Sequence, residues 1–528
     1  MKFGKAARPV IMGRNGMVAS GHYLASLAGA RILQDGGNAV DAALATSLAL
    51  SVVAPETSGP GGDIFVLLYM KKTGKVEALN ASGPAPKKAT IEHYRGLGHS
   101  HIPTEGPLSI AVPGAVDGWS ELHKRYGTVG FQRIAADAIA LARDGFPVSA
   151  RLAKSIDETK GPDIGRYYRQ GAGHVVPGHV LAQPGLAETI ETIAKKGRDG
   201  FYNGPLADRM CDALKEAGGI ITKDDLAGKI ADWLEPLGTT YRGFTVYEQP
   251  PVSQGFMVLE MLNLLEAYPL AQMDPAEAIH VMVEAKKLAF EDRINHLDDP
   301  RFGDPQIDRL ISKAHAEKWR ASIGDRARPV IRPAVSGGDT TYLCAADRDG
   351  NVVSLIQSIF AVFGSRVVAG DTGIVMNNRL CSFGLDPSKA NALKPGKRPA
   401  HTLNSYMAFH GGDFYAVGGT PGNDDQPQCN VQILHRMLDR DSDPQSAVEA
   451  PRWSHMPGTP PRDRLPEDLR MEEGFPEDVR QKLEAKGHKV IVVDRWSFGA
   501  SQVIVRDPAT GAWLGAADPR RDGYAIGW

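Results

Sequence analysis

The sequence predicts an α+β protein because it has a helix-rich first part and a hairpin-rich last part. Helical periodicity dominates up to about residue 320, whereas short β-type runs alternate with turn residues after residue 339. Residues 326–339 (RARPVIRPAVSGGD) lack periodicity, and their prolines and Ser-Gly-Gly-Asp are typical of a linker. The two parts form either two domains or one α+β core whose strands pair across the linker.

The helix-rich part begins with a periodic stretch at about 20–35. Asn38 then stands as a predicted N-cap before AVDAALATSLALSVVA, a helix apolar nearly all round, which Pro55 ends. The run IFVLLYM (64–70) has the length and apolarity of a buried strand. The other elements predicted here are a partner strand at 75–82, a helical region at 114–144 and a mostly helical region at 180–320.

The last part contains predicted hairpins, each with a β-type run on either side of a turn. The strongest signal is the Asp-Gly-Asn turn within TTYLCAADRDGNVVSLIQS (340–358). SYMAFHGGDFYAVGG (405–419) and SQVIVRDPATGAWLGAAD (501–518) repeat the arrangement around Gly- and Pro-containing turns.

Composition narrows the class of function. The 528 residues carry 60 Lys and Arg against 62 Asp and Glu, and a formal charge of −2 gives no field to attract nucleic acid or an anionic membrane. No apolar run is long enough to span a bilayer, and the N-terminus lacks the apolar stretch of a secretory signal. We therefore expect a cytoplasmic protein that acts on a small molecule, without a nucleic-acid or membrane partner.

The sequence predicts no metal site. The four cysteines, Cys211, Cys344, Cys381 and Cys429, are scattered without a C-x-x-C pair and are expected to be buried free thiols. His93, His99 and His101 look metal-like but have no matching carboxylate or thiolate spacing. The Gly-rich segment 59–63 precedes a strand rather than a helix, which favours a structural turn over a phosphate-binding loop.

The chemically informative segment is Gly-Gly-Asp339-Thr340-Thr341, a linker that ends at a hydroxyl residue beginning a strand. A threonine hydroxyl is a poor nucleophile without an adjacent base, and a free α-amine on the same residue is one such base. Cleavage before Thr340 would create that amine, whose pKa of about 7.7–8.0 suits proton transfer. Taken alone, these features still favour a plain linker before a strand.

The surrounding motifs, however, resemble the γ-glutamyltransferase family of N-terminal-nucleophile hydrolases. GGNAVDAALATSLALSVVAPETSGPGGDIFVLLY (36–69) is similar to the N-terminal signature of that family, and AVPGAVDGW (111–119) and EAGGIITKDDLAG (216–228) resemble later landmarks. DTTYLCAADRDGNVVSLIQS, FGSRVVAGDTGIVMNN, GKRPAHTL, GGTPGNDD and GAADPRRDG follow in the family's order. The resemblance spans essentially the whole chain.

The resemblance implies a four-layer αββα sandwich, built by both products of a self-cleaved precursor. Cleavage between Asp339 and Thr340 would give a large chain 1–339 and a small chain 340–528, which form a heterodimer that could pair further. Thr340 falls on the nucleophile, and Ser358 on a Thr or Ser that hydrogen-bonds it; a solvent-facing strand serine is the alternative. Gly422 and Asn423 match the backbone N–H groups of the oxyanion hole. No cofactor is implied.

The residues that would grip a glutamyl group depart from the family pattern. The family's arginine for the α-carboxylate falls on Ile91, although Arg95 or Lys88 could replace it in space. The family's Asn falls on Phe360, its Gln or Glu on Arg379, and the Asp for the α-ammonium on Ser382. Thr402 and His401 match a Ser-Ser pair that contacts the substrate carboxylate.

These exchanges predict a different acyl group. Arg379 would repel an ammonium and offers a planar fork for a carboxylate, while Phe360 shrinks and dries the pocket. A short acyl group with a carboxylate and no ammonium is therefore expected, as in the oxamate amidohydrolase and dicarboxylic-acid acylase branches of the superfamily. An ion pair of Arg379 at the surface, unrelated to substrate, is the alternative.

The leading hypothesis is a self-processing amidohydrolase that forms an acyl-enzyme on Thr340 and releases it with water. A glutathione hydrolase or γ-glutamyltransferase with unidentified glutamate contacts is the close alternative. A non-catalytic binding protein is disfavoured because Thr340, Ser358 and Gly422 are all present. A cysteine hydrolase using Cys344 or Cys381 is also disfavoured, since neither has an adjacent His.

Overall fold

The computed structural model of the chain describes residues 1–329, 339–456 and 467–528. Most of the predicted linker, residues 330–338, lies outside this description.

The described strands and helices alternate along the chain in a mixed order. The strands are β1 (Ile11–Gly13), β2 (Gly16–Ser20), β3 (Asp63–Met70), β4 (Lys75–Ala81), β5 (Phe146–Pro147), β6 (Val180–Leu181), β7 (Asp232–Leu234), β8 (Leu237–Tyr241), β9 (Phe244–Glu248), β10 (Asp339–Asp347), β11 (Val352–Phe360), β12 (Ser405–His410), β13 (Asp413–Gly419), β14 (Trp453–His455), β15 (Leu469–Glu472), β16 (Val490–Val493), β17 (Gln502–Arg506), β18 (Trp513–Ala517) and β19 (Tyr524–Gly527). The α-helices are α1 (Tyr23–Gln34), α2 (Ala39–Val53), α3 (Ile91–Gly96), α4 (Ala115–Tyr126), α5 (Phe131–Asp144), α6 (Ala150–Glu158), α7 (Pro162–Ile164), α8 (Pro184–Tyr202), α9 (Pro205–Glu216), α10 (Lys223–Leu226), α11 (Phe256–Leu265), α12 (Pro275–His296), α13 (Ile307–Leu310), α14 (Lys313–Arg320), α15 (Asp425–Leu434), α16 (Pro444–Glu449) and α17 (Glu477–Ala485).

Two antiparallel seven-stranded sheets form the centre of the molecule. Sheet I has the order β1-β18-β17-β13-β12-β9-β8, and sheet II has the order β19-β2-β10-β11-β3-β4-β7. Both sheets combine strands from before and after residue 339; in sheet II, β10 pairs with β2 and β11 pairs with β3. The two parts of the sequence therefore form one α+β core whose strands pair across the linker.

Three apolar layers show how the sheets and helices stack. One cluster lies between the two sheets and contains Phe65, Tyr342 and Met407. A second cluster joins sheet II to α1, α2, α4, α5 and α8, and a third joins sheet I to α11, α12 and α15. Since neighbouring strand residues point to opposite faces, β10 buries Tyr342 between the sheets and Leu343 under the helices. This is the four-layer αββα sandwich.

Helix α2 confirms the helix predicted after Asn38. The Asn38 side chain accepts hydrogen bonds from the backbone N–H groups of Val40 and Asp41, and the Asp41 side chain accepts one from the Asn38 N–H. This capping box satisfies donors that the first helical turn would leave unpaired. Every residue of α2 is buried, as expected for a helix that is apolar nearly all round.

The region 180–320 departs from the mostly helical prediction at its centre. Strands β7, β8 and β9 interrupt the helices, and β8 and β9 form an edge hairpin of sheet I. Its turn residues Arg242 and Gly243 both have positive φ, 53° and 83°, as a tight two-residue hairpin turn requires. The predicted region 114–144 is likewise two helices, α4 and α5, separated at residues 127–130.

The three predicted hairpins of the last part are all present. They are β10–β11, β12–β13 and β17–β18, each antiparallel. The β10–β11 pair lies in the middle of sheet II, and the start of β10 lies beside the end of β11.

Candidate active site

The β10–β11 hairpin brings Thr340 beside Ser358. Asp339 pairs with Phe360 and Thr341 pairs with Gln357, so Thr340 faces two residues of β11, Ser358 and Ile359, and the ladder contains a bulge on β11. Such a bulge bends a strand and re-aims a side chain. Thr340 and Ser358 are both buried, and the Thr340 hydroxyl donates to Ser358 Oγ across 3.2 Å.

Ser358 Oγ links the hydroxyl of Thr340 to the peptide bond before it. Ser358 Oγ donates to the carbonyl oxygen of Asp339 at 2.8 Å and accepts from the backbone N–H of Phe360 at 2.7 Å. Because a serine hydroxyl has one proton, its donation to the carbonyl leaves Thr340 as the donor in the remaining bond. The hydroxyl of Thr340 is thus linked through one atom to the carbonyl of the Asp339–Thr340 peptide bond.

Two arginines hold Asp339. Its carboxylate accepts from Arg151, on α6, and from Arg521, just before β19; Arg521 also donates to the carbonyl oxygen of Thr340 at 2.6 Å. Burial alone would raise the pKa of Asp339, but the two guanidinium groups outweigh it and the pKa is lowered. Asp339 is therefore charged, and the two arginines fix its side chain on the acyl side of the Asp339–Thr340 peptide bond.

Glu56 is a second buried carboxyl group beside Arg151. Its carboxylate is 3.8 Å from Arg151 Nε, and its Oε2 has no hydrogen-bond partner among the described residues. Burial raises the pKa of Glu56 to about 7, with Arg151 opposing the shift and Asp339 adding to it.

Gly422 and Asn423 lie in the loop between β13 and α15. Gly419, at the end of β13, approaches the ring of Tyr342 so closely that a Cβ there would lie 2.7 Å from it. Tyr342 is two residues from Thr340, so this loop leaves sheet I at the edge where β10 begins. Gly422 has φ of 129° and Asn423 has φ of 54°, and the next residues open helix α15, whose N-terminus favours negative charge.

Gln254 connects this loop to the segment of Thr402. Its side-chain amide donates to the carbonyl oxygen of Thr402 at 2.7 Å and to that of Asn423 at 3.1 Å. The position of Asn423 is further fixed by Arg293, which binds both Gln254 and Asp424.

Arg379 is wholly buried beside Phe360, not at the surface. Its guanidinium carbon lies 4.3 Å from the centre of the Phe360 ring, and its Nε lies 3.7 Å from Asp63 Oδ2. None of its guanidinium nitrogens has a hydrogen-bond partner within the described parts of the chain. Burial lowers the pKa of Arg379 to about 10, although Asp63 opposes the shift. The alternative of an ion pair at the surface is therefore wrong, because Arg379 is buried. Arg379 does form an ion pair, with the buried Asp63.

Asp63 connects Arg379 to the β10–β11 hairpin. It lies directly opposite Ser358 in the β3–β11 ladder, and its Oδ1 accepts from the Gly83 N–H at 2.8 Å. Burial raises the pKa of Asp63 to about 7, and Arg379 opposes the shift. The turn before it is structural, since a Cβ on Gly62 would lie 2.5 Å from the Ser358 carbonyl oxygen.

Of the other predicted pocket residues, His401 contacts Asp63. His401 Nε2 is 3.5 Å from Asp63 Oδ2, and burial, with repulsion from Arg379, lowers the pKa of His401 well below its usual value. The Thr402 hydroxyl is buried and, among the described residues, has no hydrogen-bond partner. Ser382 ends the short helical turn that Arg379 begins, is half-buried, and accepts from Asn391 through its carbonyl.

The position of the family's large-chain arginine is apolar. Ile91 packs with Leu380 and other apolar side chains, next to the turn that carries Arg379. Arg95 donates to the carbonyl oxygen of Leu385 at 2.9 Å, and Lys88 is exposed.

The cysteines are free, with Cys211, Cys344 and Cys429 buried and Cys381 half-buried. Burial raises the pKa of the Cys344 thiol far above its ordinary value, so the thiol stays protonated and unreactive at neutral pH. This disfavours Cys344 as a nucleophile.

Within the described residues, two buried groups could hold a metal ion: His280 with Glu284 and His488, and Glu260 with Asp292 and His315. Both lie among the helices outside sheet I, in α11, α12 and α14 and before β16. Neither contains Thr340 or a residue predicted to bind substrate. None of the helices in the described residues has the length and apolarity needed to traverse a bilayer.

Sequence reasoning did not find Asp63, Arg151, Arg521 or Gln254. Asp63 was noted only as the end of a Gly-rich turn. Arg151 and Arg521 are 188 and 182 residues from Asp339, and no local pattern marks them. The only sequence signal for Arg521 was its place in the motif GAADPRRDG, where two arginines are adjacent.

A four-layer αββα sandwich with a hydroxyl residue leading a central strand is the architecture of an N-terminal-nucleophile hydrolase. The chain belongs to the gamma-glutamyltranspeptidase family, whose model matches residues 25–528.

Three relatives support this assignment over nearly the whole chain. A glutathione hydrolase-like YwrD proenzyme of Bacillus subtilis is 41% identical, covering 98% of this chain and 99% of its own length. An oxamate amidohydrolase proenzyme of Klebsiella pneumoniae is 35% identical, covering 97% and 98%. The crystal structure of cephalosporin acylase from Bacillus halodurans superposes with a TM-score of 0.92 at 37% identity, covering 99% and 98%. The protein is thus an amide hydrolase or acyltransferase with an N-terminal nucleophile.

Proposed function

We propose that Thr340 is the nucleophile of a self-processing amidohydrolase, whose mature form consists of chains 1–339 and 340–528. The observation that carries this proposal is the position of Ser358 Oγ, which binds the Thr340 hydroxyl and the Asp339 carbonyl at once. The proenzyme names of the relatives agree with processing into two chains.

Self-cleavage follows from this geometry in two steps. Thr340 Oγ attacks the carbonyl carbon of Asp339 while its proton passes to Ser358, which gives its own proton to the carbonyl oxygen. The C–N bond then breaks as the hydroxyl formed from the carbonyl oxygen gives its proton to the nitrogen, which leaves the α-amine of Thr340 and an ester that joins Asp339 to Thr340 Oγ. One water hydrolyses the ester, leaving a free hydroxyl on Thr340 and a new carboxylate on Asp339.

The mature enzyme would use the same hydroxyl on substrate. The new α-amine accepts the proton of Thr340 Oγ as it attacks an amide carbonyl, and returns a proton to the leaving amine. The backbone N–H groups of Gly422 and Asn423 are the proposed oxyanion donors, each worth about 2.7–4 kcal/mol of transition-state stabilisation. Water then releases the acyl group. This cycle needs no cofactor, because the chain supplies base and oxyanion donors.

The proposed substrate is an amide of a small acyl group that carries a carboxylate. Arg379, His401, Thr402 and Phe360 line the proposed acyl pocket, with Ser382 at its rim. The support is electrostatic: the buried Arg379 guanidinium has an ion-pair partner in Asp63 but no hydrogen-bond acceptor among the described residues, and a substrate carboxylate would supply that acceptor. Ser382 gives no charge to hold an ammonium. The names of the oxamate amidohydrolase and the cephalosporin acylase agree with acyl groups other than glutamyl.

A glutathione hydrolase remains the second candidate, because Asp63 supplies an anion that sequence reasoning did not place in the pocket. Asp63 and Arg379, 3.7 Å apart, could hold the α-ammonium and the α-carboxylate of a glutamyl group. The 41% identical relative is named glutathione hydrolase-like.

Substrate profiling separates the two candidates. Purified processed enzyme is incubated with oxamate, glutaryl-p-nitroanilide and γ-glutamyl-p-nitroanilide. We expect kcat/KM for oxamate or the glutaryl compound to exceed that for the γ-glutamyl compound at least ten-fold. The reverse order would replace the proposal by the glutathione hydrolase.

Three variants test the nucleophile. Thr340→Ala should abolish both cleavage and turnover, whereas Thr340→Ser, which keeps a hydroxyl, should retain measurable cleavage. Cys344→Ala serves as the matched control and should leave both intact. Loss of activity in Cys344→Ala with retention in Thr340→Ala would assign the chemistry to cysteine.

A further inference from the structure

Asp339 lies between two guanidinium groups that belong to different parts of the chain. Arg151 comes from α6, before the cleavage position, and Arg521 comes from the segment before β19. Arg521 is 11% exposed and Arg151 is 35% exposed. In the precursor, the Asp339 carboxylate lies between the two arginines and pairs with both of them.

Each arginine has a second contact that does not depend on Asp339. Arg521 donates to the carbonyl oxygen of Thr340, which stays in the small chain after cleavage. Arg151 Nε lies 3.8 Å from the Glu56 carboxylate, in the large chain. Neither contact requires an intact Asp339–Thr340 bond, so both guanidinium groups can keep their places in the mature enzyme.

Cleavage makes Asp339 the last residue of the large chain. The peptide bond to Thr340 then no longer holds its side chain between the arginines. Removing one partner from a buried ion pair is strongly unfavourable, because the remaining charge is left without compensation. Two close guanidinium groups, one nearly buried, therefore form a site with a strong preference for an anion, beside the nucleophile.

We propose that Arg151 and Arg521 form a carboxylate subsite of the mature enzyme, which takes the free carboxylate of the acyl group in the place of the Asp339 side chain. This inference rests on Thr340 acting as the nucleophile. This subsite replaces Arg379 as the binder of the acyl carboxylate, since Arg379 stacks on Phe360 and already contacts Asp63. Two guanidinium groups can bind a carboxylate through both of its oxygens, as they bind Asp339.

Asp339 also indicates the length of the acyl group. Its side-chain carboxylate is separated from the carbonyl that Thr340 attacks by two carbon atoms, the Cα and the Cβ. A succinyl group has the same spacing between its carbonyl and its carboxylate. Four-carbon dicarboxylic monoamides are therefore the substrate class that this subsite fits best.

The test uses processed enzyme with succinyl-p-nitroanilide and butyryl-p-nitroanilide, which differ in the carboxylate. For the wild type we expect the succinyl compound to have the higher kcat/KM, and the succinyl-to-butyryl ratio to fall at least ten-fold in Arg151→Gln. Arg151→Lys should recover part of the ratio. Arg143→Gln, which removes an exposed arginine paired with Glu191, is the matched control and should leave the ratio unchanged.

Different results would overturn the inference in distinguishable ways. A ratio within two-fold of wild type in processed Arg151→Gln contradicts the subsite while leaving the amidohydrolase intact, and a collapse only in Arg379→Gln moves the carboxylate to Arg379. Wild-type protein that remains one chain contradicts the proposed function and this inference together.

Direct binding covers the case in which Arg151→Gln is not processed. Calorimetric titration of processed wild-type enzyme should show 4-oxopentanoate, which keeps the carbonyl and the carboxylate of a succinyl group, binding at least ten-fold more tightly than pentan-2-one, which lacks the carboxylate. Equal affinities, as would follow if the C-terminal Asp339 stayed between the arginines, would overturn the subsite.

Discussion

Ser358 is the residue whose single hydroxyl serves both ends of the proposed cleavage reaction. Replacing it by alanine removes the donor to the Asp339 carbonyl oxygen and the acceptor for the Thr340 proton. Loss of one donor to a developing oxyanion typically costs about 2.7–4 kcal/mol. We therefore expect Ser358→Ala to slow self-cleavage by about 10²–10³-fold, measured as the appearance of two chains on a denaturing gel over time.

Ser358→Thr is the matched variant, since it keeps the hydroxyl on the same strand position. It should cleave much faster than Ser358→Ala. Equal rates for alanine, threonine and wild type, in proteins with the same circular dichroism spectrum, would show that this hydroxyl does not take part.

Glu56 gives the precursor a pH-dependent stability. Burial raises the pKa of Glu56 from 4.5 to about 7, so the folded state prefers the protonated carboxyl. The resulting stabilisation is complete below about pH 4.5 and is lost as the pH rises through 7. In the uncleaved Thr340→Ala protein, the free energy of unfolding should fall between pH 4.5 and pH 8 as this contribution is lost. With Glu56→Gln added, the fall should be smaller by up to about 3 kcal/mol.

Urea unfolding at a series of pH values measures this difference. Glu188→Gln, at an exposed position, is the control and should follow the parent. Parallel curves for the parent and Glu56→Gln would contradict a carboxyl that is protonated on folding.

The site residues that belong to local sequence patterns were predicted, whereas those that meet only through long-range contacts were not. Thr340 and Ser358 were predicted from a hairpin and its neighbouring motifs, and the structure places them 3.2 Å apart through their hydroxyl oxygens. Arg151 and Arg521 were not found, because their only relation to Asp339 is spatial, across more than 180 residues of sequence. Arg379 was noticed for its charge, but its burial beside Asp63 depends on packing between segments far apart in the chain.

The loop before α15 is the element on which the proposed oxyanion hole depends. Gly422 has φ of 129°, a conformation that costs a residue with a Cβ about 1–3 kcal/mol. We expect Gly422→Ala to lower kcat about ten-fold or more, since relief of strain would turn the backbone N–H groups away from the substrate. Steady-state kinetics on processed enzyme measure the change.

Gly411→Ala controls for strain alone. Gly411 lies in the β12–β13 turn with φ of 60° and open space around it. It should lower thermal stability yet leave kcat near wild type. Equal effects of both variants on kcat would remove the special role of the loop.

The N-terminus of α2 tests the structural part of the account. Asn38→Ala removes the side-chain acceptor for the first helical turn and should lower the free energy of unfolding by about 1 kcal/mol. Asn38→Ser, which can still cap the helix, should lose little. Chemical denaturation of the two variants in the Thr340→Ala background measures both free energies of unfolding. Equal losses in the two variants would show a general effect of replacing Asn38 and would contradict a loss of capping.

Element types were predictable where the local pattern and the tertiary environment agreed. Helix α2 and the three hairpins after residue 339 combine strong caps or turns with matching apolar patterns. The β8–β9 hairpin was missed, although its Arg242-Gly243 turn sits between two β-type runs, because the surrounding helices dominated the pattern. Helix α12 looked amphipathic but is largely buried, since it packs in the outer layer against α11 and α17.

At the scale of the whole molecule, both halves of the chain build each central sheet. Strand β10 pairs with β2 on one side and with β11 on the other, so residues 340–528 cannot complete sheet II without residues 1–339. The sequence alone left two domains and one core open, because strand pairing across a linker has no local signature. The motif resemblance implied a composite core, and each central sheet combines strands from before and after residue 339.

The most direct test of the central claim is the intact mass and N-terminal sequence of active wild-type protein. The account predicts two chains, with the small chain beginning at Thr340, and a single inactive chain for Thr340→Ala. Full activity in material that consists only of the uncut 528-residue chain would contradict it.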